Sequence, residues 1–157
     1  MTDGRHDFDF FLGKWHGAIR KLADTTDRDC AEWVELEAVC DCAPILGGLG
    51  NFETSAMRPG AIEGATLRLF EPSTGLWRIW WMSSRLPGVL DAPVAGGFDG
   101  GRGVFEGPDD FDGVPVLVRY EWDRLAADRV RWAQRFSWDG GAAWDDLNFI
   151  TMWTRAS

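Results

Sequence analysis

Tyr120 and Gln134 each interrupt an otherwise apolar stripe. Across residues 114–122 the alternate positions Val114, Val116, Val118, Tyr120 and Trp122 share a face, and across 129–137 Val130, Trp132, Gln134 and Phe136 do the same. A polar group on an inward-facing stripe needs a hydrogen-bond partner from protein, water or ligand. Arg68, on a face with Thr66 and Phe70, and Glu53 add a cation and a carboxylate. Such groups either pair in an interior or hold the polar end of a ligand. With Trp80 and Trp132 as aromatic walls, these six residues predict a pocket centred on the fifth, eighth and ninth of the strands described below. The chemistry expected there is binding of a small apolar, ring-containing molecule. As an enzyme of the cyclase or isomerase type, the same pocket would use Glu53, Arg68, Tyr120 and Gln134 as acid–base or polarising groups. A third alternative is an interaction protein with a filled interior and a tryptophan-rich outer face.

Other candidate constellations fail on spacing. Cys40 and Cys42 fall on one face of a strand, while Cys30 would lie roughly 33 Å from Cys40 along it, too far for a disulfide. His6 and His16 stand at no metal-ligand spacing and beside no nucleophile. No metal, haem or other cofactor is therefore expected. Asp109-Asp110-Phe111-Asp112-Gly113 lacks the glycine placement of a calcium loop. The Gly47-Gly48-Leu49-Gly50 stretch precedes neither Lys-Ser nor Lys-Thr, so it is no phosphate loop. Ser137-x-Asp139-x-Gly141-x-x-Trp144 has the pattern of an Asp-box hairpin, whose aspartate stabilises a turn.

The formal net charge of −9 argues against nucleic acid and anionic membranes as partners. No run of about 18 apolar residues is present. Free thiols and the lack of a basic-then-apolar start favour a cytoplasmic location. Ten tryptophans in 157 residues are a heavy aromatic complement, which a lined cavity or a sheet apolar on both sides would accommodate.

The elements that must position these groups are strands. Residues 1–7 read as a flexible leader and 8–157 as one domain. Phe8, Phe10, Phe11 and Leu12 suffice for one short helical turn. From Trp15 onward the pattern is repeatedly period two. It predicts strands at about 14–22, 30–42, 51–57, 65–70, 76–84, 94–98, 103–106, 114–122, 129–137 and 147–154. Turn signals separate them, Glu71-Pro72-Ser73-Thr74-Gly75 and Asp99-Gly100-Gly101 among them. Ten strands joined by hairpins curl and close, giving an all-β, antiparallel up-and-down barrel. Both faces of the 76–84 strand are apolar, Leu76-Arg78-Trp80-Met82 against Trp77-Ile79-Trp81-Ser83. A second copy of the chain would cover the outer one, so a homodimer is among the expectations.

Gly13-Lys14-Trp15 near the start, answered by Trp153-Thr154-Arg155 near the end, resembles the calycin (lipocalin) signature. The resemblance extends through Phe10-Phe11-Leu12, Leu46-Gly47-Gly48-Leu49-Gly50, the 66–77 segment, Trp132-Ala133-Gln134 and Phe136-Ser137. Taken together it is similar to a bacterial calycin-like (lipocalin-related) β-barrel family, whose motifs carry no agreed activity. It implies that Trp15 plugs the closed end of the barrel with Arg155 lying across it, a cation–π contact that seals apolar area.

Overall fold

Alternating burial along nearly every segment from Gly13 onward makes strands the only way to put the apolar residues on one side. The computed structural model describes residues 3–157; residues 1 and 2, part of the expected leader, lie outside the described residues. Ten strands follow in order: β1 (Gly13–Leu22), β2 (Trp33–Ile45), β3 (Gly50–Arg58), β4 (Ile62–Glu71), β5 (Leu76–Ser83), β6 (Val94–Asp99), β7 (Arg102–Phe111), β8 (Val114–Ala126), β9 (Arg129–Ser137) and β10 (Phe149–Arg155). Each pairs antiparallel with its sequence neighbours. β1 also pairs with β10, closing an all-β barrel. Helical structure among the described residues is confined to single 3-10 turns at Asp9–Phe11 and Leu46–Gly48. No helix among them is long and apolar enough to cross a membrane.

β7 and β8 run several residues past the ends that their alternation indicates, and β4 starts three residues earlier, at Ile62. β7 continues past Glu106 through Pro108 to Phe111, pairing Pro108 with Leu117 and Phe111 with Val114. The acidic stretch 109–113 is therefore mostly strand, and only Asp112-Gly113 turns. Both turn residues have positive φ (52° and 85°), the geometry that a two-residue hairpin demands. β8 passes an irregularity between Arg124 and Ala126 before it ends. β2 begins and ends three residues later than its alternation indicates, at Trp33 and Ile45.

The two ends of the barrel differ. At one end the Asp9–Phe11 turn drives Phe8 and Phe11 into the bore, where both are fully buried. Phe8 meets Trp77, Phe98 and Trp122 edge-on with ring centroids 5.0–5.5 Å apart, and Phe11 stacks on Trp15 at 5.0 Å. The other end is framed by residues 25–26 and by the 84–93 connection between β5 and β6. Those two strands pair only from Trp77↔Gly96 to Ile79↔Val94. Beyond that seam the backbone of β5 is met by the connection instead, Asp91 N–H donating to the Trp81 carbonyl at 3.1 Å.

Candidate functional site

Trp15 is 1% exposed, and its indole N–H donates to the Phe11 carbonyl at 2.9 Å. Arg155, its cross-strand partner on β10, lies with its guanidinium carbon 4.2 Å from the Trp15 ring centroid. The same guanidinium donates to the carbonyls of Leu12 (2.8 Å) and Phe10 (2.6 Å). One arginine thus caps the 3-10 turn and covers the indole face, tying both chain ends to one end of the barrel. Inside β1, Gly17 leaves the space filled by the Trp153 ring, which would stand 2.7 Å from an added Cβ.

Above this aromatic plug lies a cavity of about 510 Å³. The inward residues of β3 and β4 meet at its floor. Arg68, only 2% exposed, donates to Glu53 Oε1 at 2.7 Å through Nη2 and to Asn51 Oδ1 at 2.9 Å through Nη1. Its guanidinium carbon lies 5.2–5.5 Å from the ring centroids of Phe8, Phe11 and Trp122. The charge is thus held by a carboxylate on one side and by π faces on another. Burial works against that charge, but the groups around it, Glu53 first among them, together hold the Arg68 pKa above its ordinary value. Cys42 touches the pair, its sulfur 3.8 Å from Arg68 Nη1. Burial pushes the Cys42 thiol up to about 11 despite that cation, so it is a neutral packing group and not a nucleophile.

Higher on the wall, Tyr120 and Trp132 meet edge-on at 5.1 Å, and Trp132 meets Phe149 likewise at 5.1 Å. Gln134 Nε2 donates to Asn148 Oδ1 at 3.0 Å, not to Tyr120. Burial, then the nearby Asp91 and Asp109 carboxylates, hold the Tyr120 phenol well above its ordinary pKa, so it stays protonated and able to donate. Lys21 and Arg85 also line the wall, and burial followed by the Arg85 charge lowers the Lys21 pKa.

Of the six pocket residues expected from alternation, Glu53, Arg68, Tyr120, Trp132 and Gln134 line this one cavity. Trp80 does not. β5 turns Trp77, Ile79 and Trp81 inward, and Trp80 pairs with Leu67 on the outer face. Both faces of that strand are apolar, so alternation alone carried no parity. What sets it is Gly64, across from β5, where an added Cβ would stand 2.1 Å from the Trp81 ring. Asn51, Ser55, Trp81 and Trp122 belong to the site and were not singled out by sequence. For Asn51 and Ser55 the signal was their shared parity with Glu53.

Outside the wall, β7, β8 and β9 carry an ion network. Glu121, 2% exposed, accepts from Arg102 (2.5 Å) and Arg135 (2.8 Å), while Asp123 accepts from Arg102 and Arg131. The Asp-box residues do turn work: Ser137 Oγ donates to Asp139 Oδ1, which also accepts from the Ala143 amide.

A closed antiparallel barrel, plugged at one end and hollow above a buried ion pair, is a calycin-like fold. Neither a scan of family models nor a search of curated proteins found a match. Among solved structures the chain is similar to the S-type phycobiliprotein lyase CPES from Guillardia theta. The TM-score is 0.62 at 12% identity, over 99% of this chain and 96% of that one. At that identity the likeness speaks for the fold alone.

Proposed function

We propose that this barrel binds a small apolar, ring-containing molecule in its interior, with Trp81, Trp132, Tyr120 and Gln134 as walls and the Arg68–Glu53 pair as floor. The observation that carries this reading is the cavity of about 510 Å³, within the range of small-molecule sites and walled chiefly by aromatic and aliphatic side chains. A barrel serving only as a scaffold would fill that space, because interiors pack at crystal density. An enzymatic role in the same cavity would draw on the Arg68–Glu53 pair; binding is the simpler reading, since the Glu53 carboxylate is already engaged by Arg68 at 2.7 Å.

The test is titration with the uncharged dye N-phenylnaphthylamine, followed by quenching of tryptophan emission. One dye should bind per chain, and Trp132→Ala should weaken binding by about tenfold, as expected for loss of an aromatic anchor. Gln134→Leu should weaken it less. Equal affinity in all three proteins, or no binding at all, would remove the proposal.

A further inference from the structure

Three residues that line the cavity each carry a buried polar atom with no hydrogen-bond partner among the described residues: Arg68 Nε, Ser55 Oγ and Trp122 Nε1. Arg68 and Trp122 can only donate there, and the Ser55 hydroxyl can donate as well. The rest of the Arg68 guanidinium is already engaged by Glu53 and Asn51. A buried polar group left unmet destabilises the fold, so a hydrogen-bond acceptor brought within reach of these atoms recovers a cost the protein otherwise bears.

The charges of the wall say which kind of acceptor. Arg68, Lys21 and Arg85 are balanced by Glu53, Asp91 and Asp109, all lining the same cavity. Among the described residues, the cation at the floor is Arg68, and it is spent on Glu53 at 2.7 Å. A carboxylate ligand would bring a second anion beside Glu53 with no second cation to meet it, and burying an unmatched charge costs far more than three hydrogen bonds return. A carbonyl oxygen brings accepting lone pairs and no charge. Tyr120, held protonated further up the wall, adds a donor for a second oxygen.

Building on the cavity reading, we infer that the barrel selects uncharged aromatic ring systems carrying a carbonyl, ring ketones or quinones, seated with the oxygen toward Arg68, Ser55 and Trp122. The aromatic body then lies against Trp132 and Trp81.

Three probes of nearly one shape separate the possibilities: fluorene, fluorenone and fluorenecarboxylate, titrated calorimetrically into the full chain. Fluorenone should bind at least about tenfold tighter than fluorene, the equivalent of one good hydrogen bond, and at least about tenfold tighter than the carboxylate. Ser55→Ala removes only a hydroxyl, and Trp122→Phe keeps the ring in the plug while deleting its N–H. In either variant the advantage of fluorenone over fluorene, read as the ratio of the two affinities in that same variant, should shrink. Fluorenone binding no better than fluorene would overturn the inference while leaving the cavity reading standing. So would an advantage that survives in both variants. Fluorenecarboxylate as the tightest ligand would also overturn it, because the floor would then be an anion clamp. If none of the three binds, the cavity reading falls and this inference with it.

Discussion

Arg68 and Glu53 sit where an unpaired charge is least tolerable, both nearly inaccessible at the heart of the barrel. A buried pair contributes little against an apolar replacement, but removing one member strands the other at a cost of about 3–5 kcal/mol. Arg68→Met alone should therefore destabilise more than the Arg68→Met/Glu53→Gln double variant. Urea unfolding of the two, with Glu53→Gln as third member of the cycle, reads the coupling. Additive losses would mean that the two groups do not depend on each other. At this scale the sequence was informative where a polar residue broke an apolar stripe, as at Tyr120 and Gln134. It was silent about Trp122 and Ser55: an indole N–H or hydroxyl looks ordinary until its missing partner is seen.

Among the elements, the N-terminal turn and the 84–93 connection act at opposite ends. The turn places Phe8 and Phe11 in the bore, and Trp15 locks it through stacking and the bond to the Phe11 carbonyl. Trp15→Ala should lower stability by about 3–5 kcal/mol, as buried aromatic truncations do, and a near-neutral denaturation curve would deny the plug its role. In the connection, burial, then the Asp109 charge, raise the Asp91 pKa above its ordinary 3.8. A carboxyl with a raised folded pKa binds protons more readily in the native state, so its contribution to stability falls as pH rises through that window. Asp91→Asn should raise the melting temperature at pH 7 and lose that advantage below the ordinary aspartate pKa. A gain that persists in acid would contradict the assignment. Element boundaries were legible wherever a turn signal was unambiguous, as for β9 between its flanking loops. β7 was not, because Pro108 and two aspartates resemble a loop, whereas their pairing with β8 holds them in the sheet.

For the whole molecule, closure was foreseeable from the number of hairpin-linked strands, and the Trp15–Arg155 pairing from the two chain ends. The extent of the hollow was not, since a filled and a hollow barrel share the same alternation, and only side-chain volumes meeting in three dimensions distinguish them. Trp80 and Trp81 make the same point: two adjacent tryptophans on a strand apolar on both faces, one lining the cavity and one outside it.

The ten tryptophans make the central claim directly measurable, because each indole N–H gives its own signal in a nitrogen–proton correlation spectrum. On adding N-phenylnaphthylamine, the indole signals of the cavity residues Trp81, Trp122, Trp132 and Trp153 should shift together and saturate at one dye per chain. Those of Trp33, Trp80 and Trp144, which do not line the cavity, should stay in place. Shifts confined to Trp33, Trp80 and Trp144, with the four cavity signals unmoved, would mean that the molecule binds on the outside and that the hollow is not its site.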